Sequence, residues 1–237
     1  MTDPSSKHDQ PERRTAPLVK AQKPMNTTDL INSLAADSRQ MVQHKTRKDL
    51  ASGVVIGGIV TLGALLAVFG VQPGLGQIDH LLPLLMKLAF VAAIGVPAFV
   101  VADQLARPDR GKQRIARLVA VPMVLLGILA IAQIALAPST SLPELVFGGS
   151  WRQCPARIAV LSLPILAGLL WAVRRQAPVH LRRAGMTAGL VAGTAAAAIY
   201  ALACTEVSAT FVLIWYSCGI AVTTMIGALI GPRALRW

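Results

Sequence analysis

The run LASGVVIGGIVTLGALLAVF, residues 50–69, holds twenty residues without a charge, and it decides the fold class. A helix rising ~1.5 Å per residue crosses a ~30 Å hydrocarbon core in about twenty residues. Outward from it lie five more apolar runs, at residues 81–102, 118–137, 158–173, 184–203 and 211–230. The fourth is short and is expected to begin near Pro155, with Arg157 snorkelling outward. The pattern predicts an all-α protein: an integral membrane bundle of six transmembrane helices, preceded by a short cytoplasmic N-terminal amphipathic helix.

Charge orients the bundle. Of 23 Lys and Arg residues, nine precede the first run, five surround Arg110, four surround His180 and two close the chain. The intervening loops and helix ends hold only Lys87, Arg152 and Arg157. Twenty against three is a strong positive-inside bias, so both termini are expected on the cytoplasmic side. The net charge of +12 and isoelectric point of 10.7 follow from that bias, with added attraction to anionic lipid, and call for no direct nucleic-acid partner. A hydrophobic content of 54% and a mean hydropathy of +0.57 exclude an ordinary soluble core. The first apolar run follows 49 polar residues, which argues against a cleavable signal peptide and for an uncleaved insertion signal in the first helix.

Three segments differ in physics. Residues 1–24, with Pro4, Pro11, Pro17 and Pro24 among scattered charges, bury too little surface to offset chain entropy and are expected to be a disordered cytoplasmic extension. Residues 25–49 begin MNTTDLINSLAAD, where Thr27 caps a helix whose first turn carries Asp29. Leu30, Ile31, Leu34, Met41 and Val42 recur at helical spacing, with Asn32, Asp37 and Arg39 elsewhere around the wheel. That stripe fits either a helix lying on the membrane surface or one docking into a groove of a soluble partner. Residues 50–237 form the membrane part.

Within the membrane part, Gly185, Gly189, Gly193, Ala197 and Ala201 form a small-residue stripe, and Gly53 and Gly57 a shorter one. Close helix packing explains both, and the longer stripe would also let two copies pair as a homodimer. The interior lacks the ionisable groups of ion-coupled transport, and there is no nucleophile elbow, HExxH, P-loop or dinucleotide turn. No enzyme activity is expected. Lys87 is the exception, two turns into the second run; snorkelling to the outer headgroups is its expected fate, with burial against Asp79 or Glu206 the alternative.

Cys154 precedes the fourth helix and Cys204 ends the fifth, both on the side opposite the basic loops. Consecutive helices joined by a short loop pack antiparallel, so two thiols fifty residues apart can stand at one height. The pair is compatible with a structural disulfide, with a redox-reactive switch, or with a transient soft metal ion assisted by Glu206; no resident cofactor is expected. Cys218 lies inside the sixth run and is expected to be a small packing residue.

Several motifs carry a resemblance over nearly all of the chain from Met25: M-N-T-T-D-L-I-x-x-L-A-A-D, then G-x-S-W-x-x-C-P at 148–155 and Cys204-x-Glu206. F-x-x-x-W-Y at 211–216 and G-x-x-x-L-R-W at 231–237 complete it. The chain resembles the NrsF-like membrane anti-sigma factors, which hold extracytoplasmic-function sigma factors of the sigma-F type inactive. The resemblance implies a multi-pass protein of the bacterial inner membrane. It further implies that Cys154 and Cys204, with Glu206 beside them, sense heavy-metal or oxidative stress. Thr27, Asp29, Leu30, Ile31, Leu34 and Asp37 would then bind the sigma factor. The segment before Met25 departs from the pattern. The rival expectations are a small metal or metabolite transporter, which needs polar groups along a central pathway, and a thiol–disulfide exchange enzyme, which needs a second exchanging pair.

Overall fold

Among the described residues of the computed structural model, the chain forms seven helices: α1 Thr27–Val68, α2 Ile78–Gln104, α3 Lys112–Leu136, α4 Leu142–Phe147, α5 Gln153–Arg174, α6 Leu181–Tyr200 and α7 Ala209–Ala234. Residues 27–70, 78–104, 112–136, 142–176, 178 and 180–236 are described, those at 27–46, 78–80, 103–104, 112–120, 122 and 142 by backbone alone. No strand occurs among them, as the sequence requires. The expectations for residues 1–24, for the Arg110 loop and for the side chains of Thr27, Asp29, Leu30, Ile31, Leu34 and Asp37 lie outside the described residues. The backbone of those six is helical. The chain divides into two units, Met1–Val42 and Gln43–Trp237, and the second holds the packed bundle.

Four helical segments are long and apolar enough to cross a membrane: Arg47–Val68, Leu81–Ala102, Gln153–Arg174 and Ala209–Ala234. Six were expected. In α3 only Met123–Leu136 of the expected 118–137 run is described without a break in its side chains. The 20 residues of α6 are long enough, but Ala and Gly dominate them, and small side chains carry little apolar surface.

That poverty in side chains serves packing. Carbon atoms added at Gly185, Gly189 and Gly193 of α6 would run into the α7 backbone or Cβ atoms at Gly227, Gly231, Thr223, Thr224 and Ile220. Thus α6 and α7 lie antiparallel with their backbones nearly touching, the close approach that small residues permit. The stripe read from the sequence is therefore filled from within the chain. Likewise Gly53 meets Gly168, Gly57 meets Ile165, and Thr61 donates to the Leu161 carbonyl at 2.9 Å, so α1 runs antiparallel to α5. On a third side, Gly95 of α2 faces the Thr194 side chain of α6. α6 is the hub, flanked by α2, α5 and α7.

This packing sorts the chain by charge. Arg47 and Lys48 at the start of the α1 span, Arg174 at the end of α5, Arg182 and Arg183 at the start of α6, and Arg233 in the last turn of α7 share one end. Cys154 at the start of α5 and Cys204 just past α6 share the other.

Candidate functional site

Three sequence motifs far apart in the chain meet at the thiol end. The first is a strap: α4, then a turn through Gly148–Gly149–Ser150–Trp151, then the first turn of α5 carrying Cys154. Gly148 stops α4, its amide donating to the Glu144 carbonyl at 2.9 Å and its φ of +52° lying in the left-handed region. Cys154 N in turn donates to Ser150 O at 2.9 Å, which fixes the thiol-bearing residue to the strap.

The second motif is the turn after α6. Ala203 and Cys204 donate to the Tyr200 carbonyl at 3.0 and 3.1 Å, so the chain is still coiled when it delivers Cys204. Two residues on, the Glu206 carboxylate grips the strap: its Oε1 accepts from Gly149 N at 2.8 Å and from Ser150 Oγ at 3.1 Å. A side chain at Gly148 would fill the space that carboxylate occupies. Ser208 continues the connection, donating to the Leu145 carbonyl at 2.9 Å.

The third motif opens α7. Residues Val212–Tyr216 form a π-helical stretch, in which an extra residue per turn re-aims the side chains. Trp215 swings under the strap and donates from Nε1 to Val146 O at 2.8 Å. Its ring packs 5.3 Å from Trp151 and 6.4 Å from Phe147. Tyr216 is fully buried 6.2 Å from the Tyr200 ring. Its hydroxyl lies beside Cys204 yet has no hydrogen-bond partner among the described residues. The end of α3 joins here as well, Gln133 Oε1 accepting from Ala209 N at 2.9 Å.

The structure therefore brings together the three residues expected to act as a sensor. Cys154 ends the strap and Cys204 lies two residues before the Glu206 that holds it, and the two cysteines are 0% and 3% exposed. Both are free and buried, so a reagent reaches them only when the surrounding structure opens. Cys218, expected to be buried, is instead exposed on α7 among side chains such as Val222 and Met225 that also face outward. Its helix buries the glycine face, and residue 218 is turned away from it.

Lys87 departs furthest from expectation. Snorkelling is not its fate: the residue is 2% exposed and its ammonium donates to the Cys204 carbonyl at 2.7 Å. That carbonyl stands just past the end of α6, where helix carbonyls lack partners and the dipole favours a cation. Among the described residues, Cys204, Glu206 and Cys154 are the ionisable groups near it. A lone lysine in an apolar run gives no periodic signal of such a partner, which lies 117 residues along the chain.

Among the described residues, no three His, Cys, Asp or Glu side chains gather where a metal could be held by all of them. Some mid-bundle hydroxyls are bonded, Ser162 Oγ to Thr223 Oγ1 at 3.1 Å and Thr194 Oγ1 to Leu190 O at 3.0 Å, whereas the buried Ser217 Oγ has no partner among the described residues.

The chain matches the family model described as "NrsF: Negative regulator of sigma F" over residues 34–237. It belongs to the NrsF family. The family is regulatory, not enzymatic, and its members are anti-sigma factors that act on sigma-F. Among curated relatives, the anti-sigma-F factor NrsF of Caulobacter vibrioides is 34% identical over 214 residues, 90% of this chain and 100% of that protein. The probable anti-sigma-F factor NrsF of Azospira oryzae is 33% identical over 216 residues, with the same coverage of both chains. No solved structure matches the chain.

Proposed function

We propose that this chain is a six-span protein of the bacterial inner membrane that keeps a sigma-F-type extracytoplasmic-function sigma factor inactive and releases it when Cys154 and Cys204 react. In this reading the docking surface is the cytoplasmic helix over residues 25–49, through Thr27, Asp29, Leu30, Ile31, Leu34 and Asp37, and both termini are cytoplasmic. Residues 1–24 are an extension with no part in retention. The observation that carries the sensor assignment is that two buried cysteines stand at one end of the bundle, linked through the strap by Glu206, opposite the end that holds Arg47, Arg174, Arg182, Arg183 and Arg233.

Two chemistries would act there. A soft divalent metal ion displaces the two thiol protons and takes both sulfurs as ligands, with Glu206 freed from the strap to help. Alternatively, an oxidant accepts two electrons and the two thiol protons leave as a disulfide forms. Either demands a different spacing of the sulfurs from that of two packed thiols, and so a second arrangement of the strap and the α6–α7 turn. The signal reaches the sigma factor only if the two arrangements differ in stability with the sigma factor bound and free. A transporter would need polar groups lining a pathway. Here Lys87 and Glu206 bond to backbone at one end of the bundle rather than along a central path, so we do not adopt it.

The test is co-purification of the full chain with its cognate sigma factor from detergent, wild type beside Cys154→Ser/Cys204→Ser, with and without cadmium or dichromate. Retention by both, and stress-induced release from the wild type alone, is expected. A sigma factor that never co-purifies removes the reading.

A further inference from the structure

We propose that Lys87 is the positioning residue of the thiol site: its ammonium pins the turn bearing Cys204 to α2, so that the site and α2 move together. The proposal rests on the function proposed above for its biological meaning, but not for its geometry. A charged side chain inside an apolar span is costly and normally escapes to the interface. Lys87 sits close enough to the end of its span to do so, yet it is 2% exposed and commits its ammonium to one carbonyl. That carbonyl belongs to a proposed sensor residue, and among the described residues the ionisable groups near the amine are the proposed sensor residues themselves. Elsewhere α2 touches the hub helix through Gly95 on Thr194, two turns further along, which offers no polar bond between them. Among the described residues, the Lys87 bond is thus the polar connection between α2 and the thiol turn.

This arrangement gives the site an exit. Any rearrangement that turns the Cys204 carbonyl away leaves the Lys87 amino group without its acceptor in a low-dielectric interior, a cost avoided when α2 follows the turn. Oxidation or metal capture at the sulfurs is then felt along α2 to the basic end, without any chemistry on the lysine.

The experiment is hydrogen exchange by mass spectrometry on the full chain in detergent, reading peptides that cover residues 200–208. Lys87→Met should raise exchange there by about tenfold, the scale set by losing one hydrogen bond to a charged group. Lys87→Arg, which keeps a buried cation and donor, should restore slow exchange. If Lys87→Met does not survive solubilisation, Lys87→Leu, which likewise removes the donor, takes its place with the same expectation. Exchange unchanged from wild type, or equally fast in Lys87→Arg, overturns the proposal. A second arm measures sigma-factor retention without stress. Lys87→Met should retain less than wild type and Lys87→Arg as much; full retention by Lys87→Met overturns the link to α2. If wild type itself retains no sigma factor, the proposed function falls while the exchange arm still decides the pinning.

Discussion

At the scale of single residues, Gly148 and Glu206 define each other. The left-handed φ of Gly148 and the carboxylate where its Cβ would stand leave room for no other residue. Gly148→Ala should therefore cost about 1–3 kcal/mol, the usual penalty of an αL position forced on a side chain, before the clash is added. It should read as a lowered Tm of the solubilised chain. Glu206→Gln keeps one acceptor and should be milder; Glu206→Ala frees the strap, and N-ethylmaleimide should then reach Cys154 faster than in wild type. An unchanged labelling rate would mean that the strap is held by Trp215 and Ser208 alone. At this scale the sequence was half legible. Cys154, Cys204 and Glu206 could be named from position and resemblance, because each sits at a helix end on the side poor in basic residues. Lys87 stood out as a lone charge with burial as its alternative fate, and Ser150, Trp215 and Tyr216 stood in quoted motifs, but their partners could not be read, since no local spacing encodes them.

At the scale of elements, neighbouring glycines of α1 offer a controlled comparison. Gly57 faces the α5 backbone at Ile165, while Gly58 has open space around it. Gly57→Ala should destabilise the chain by about 1–3 kcal/mol through overpacking. Gly58→Ala should be neutral or stabilise by up to about 1 kcal/mol, from the gain in helix propensity. Thermal melts in the same detergent separate them, and equal melting points would mean that α1 does not pack on α5 through this face. Hydrophobic runs located every long helix, because a run of apolar residues reports burial whatever covers it. They overstated the number of independently apolar spans, because α6 is covered by protein and needs little apolar surface of its own. The strap helix α4 and the π-helical stretch escaped notice, being six and five residues set by contacts with Glu206, Ser208 and Trp215 rather than by any period.

At the scale of the molecule, the cluster of Arg47, Arg174, Arg182, Arg183 and Arg233 and the thiols define opposite poles. In a cysteine-free background, Arg152→Cys and Arg182→Cys place one reporter at each. A membrane-impermeant maleimide added to spheroplasts should label the first and spare the second until the cells are lysed. Labelling in the reverse order would invert the orientation and put the thiols in a reducing compartment, where a disulfide would not persist. The poles were legible from charge alone, since positively charged loops respond to the membrane before any tertiary contact forms.

The plainness of α6 also bears on how the chain is built. A helix of alanine and glycine gains little from lipid on its own, and its fit is to α7, which is made last. During synthesis α6 waits at the membrane with an unfilled groove until residues 209–234 arrive. Chains cut off before α7 should therefore be cleared by quality-control proteases even though the preceding helices are complete, and a co-expressed α7 fragment should rescue them.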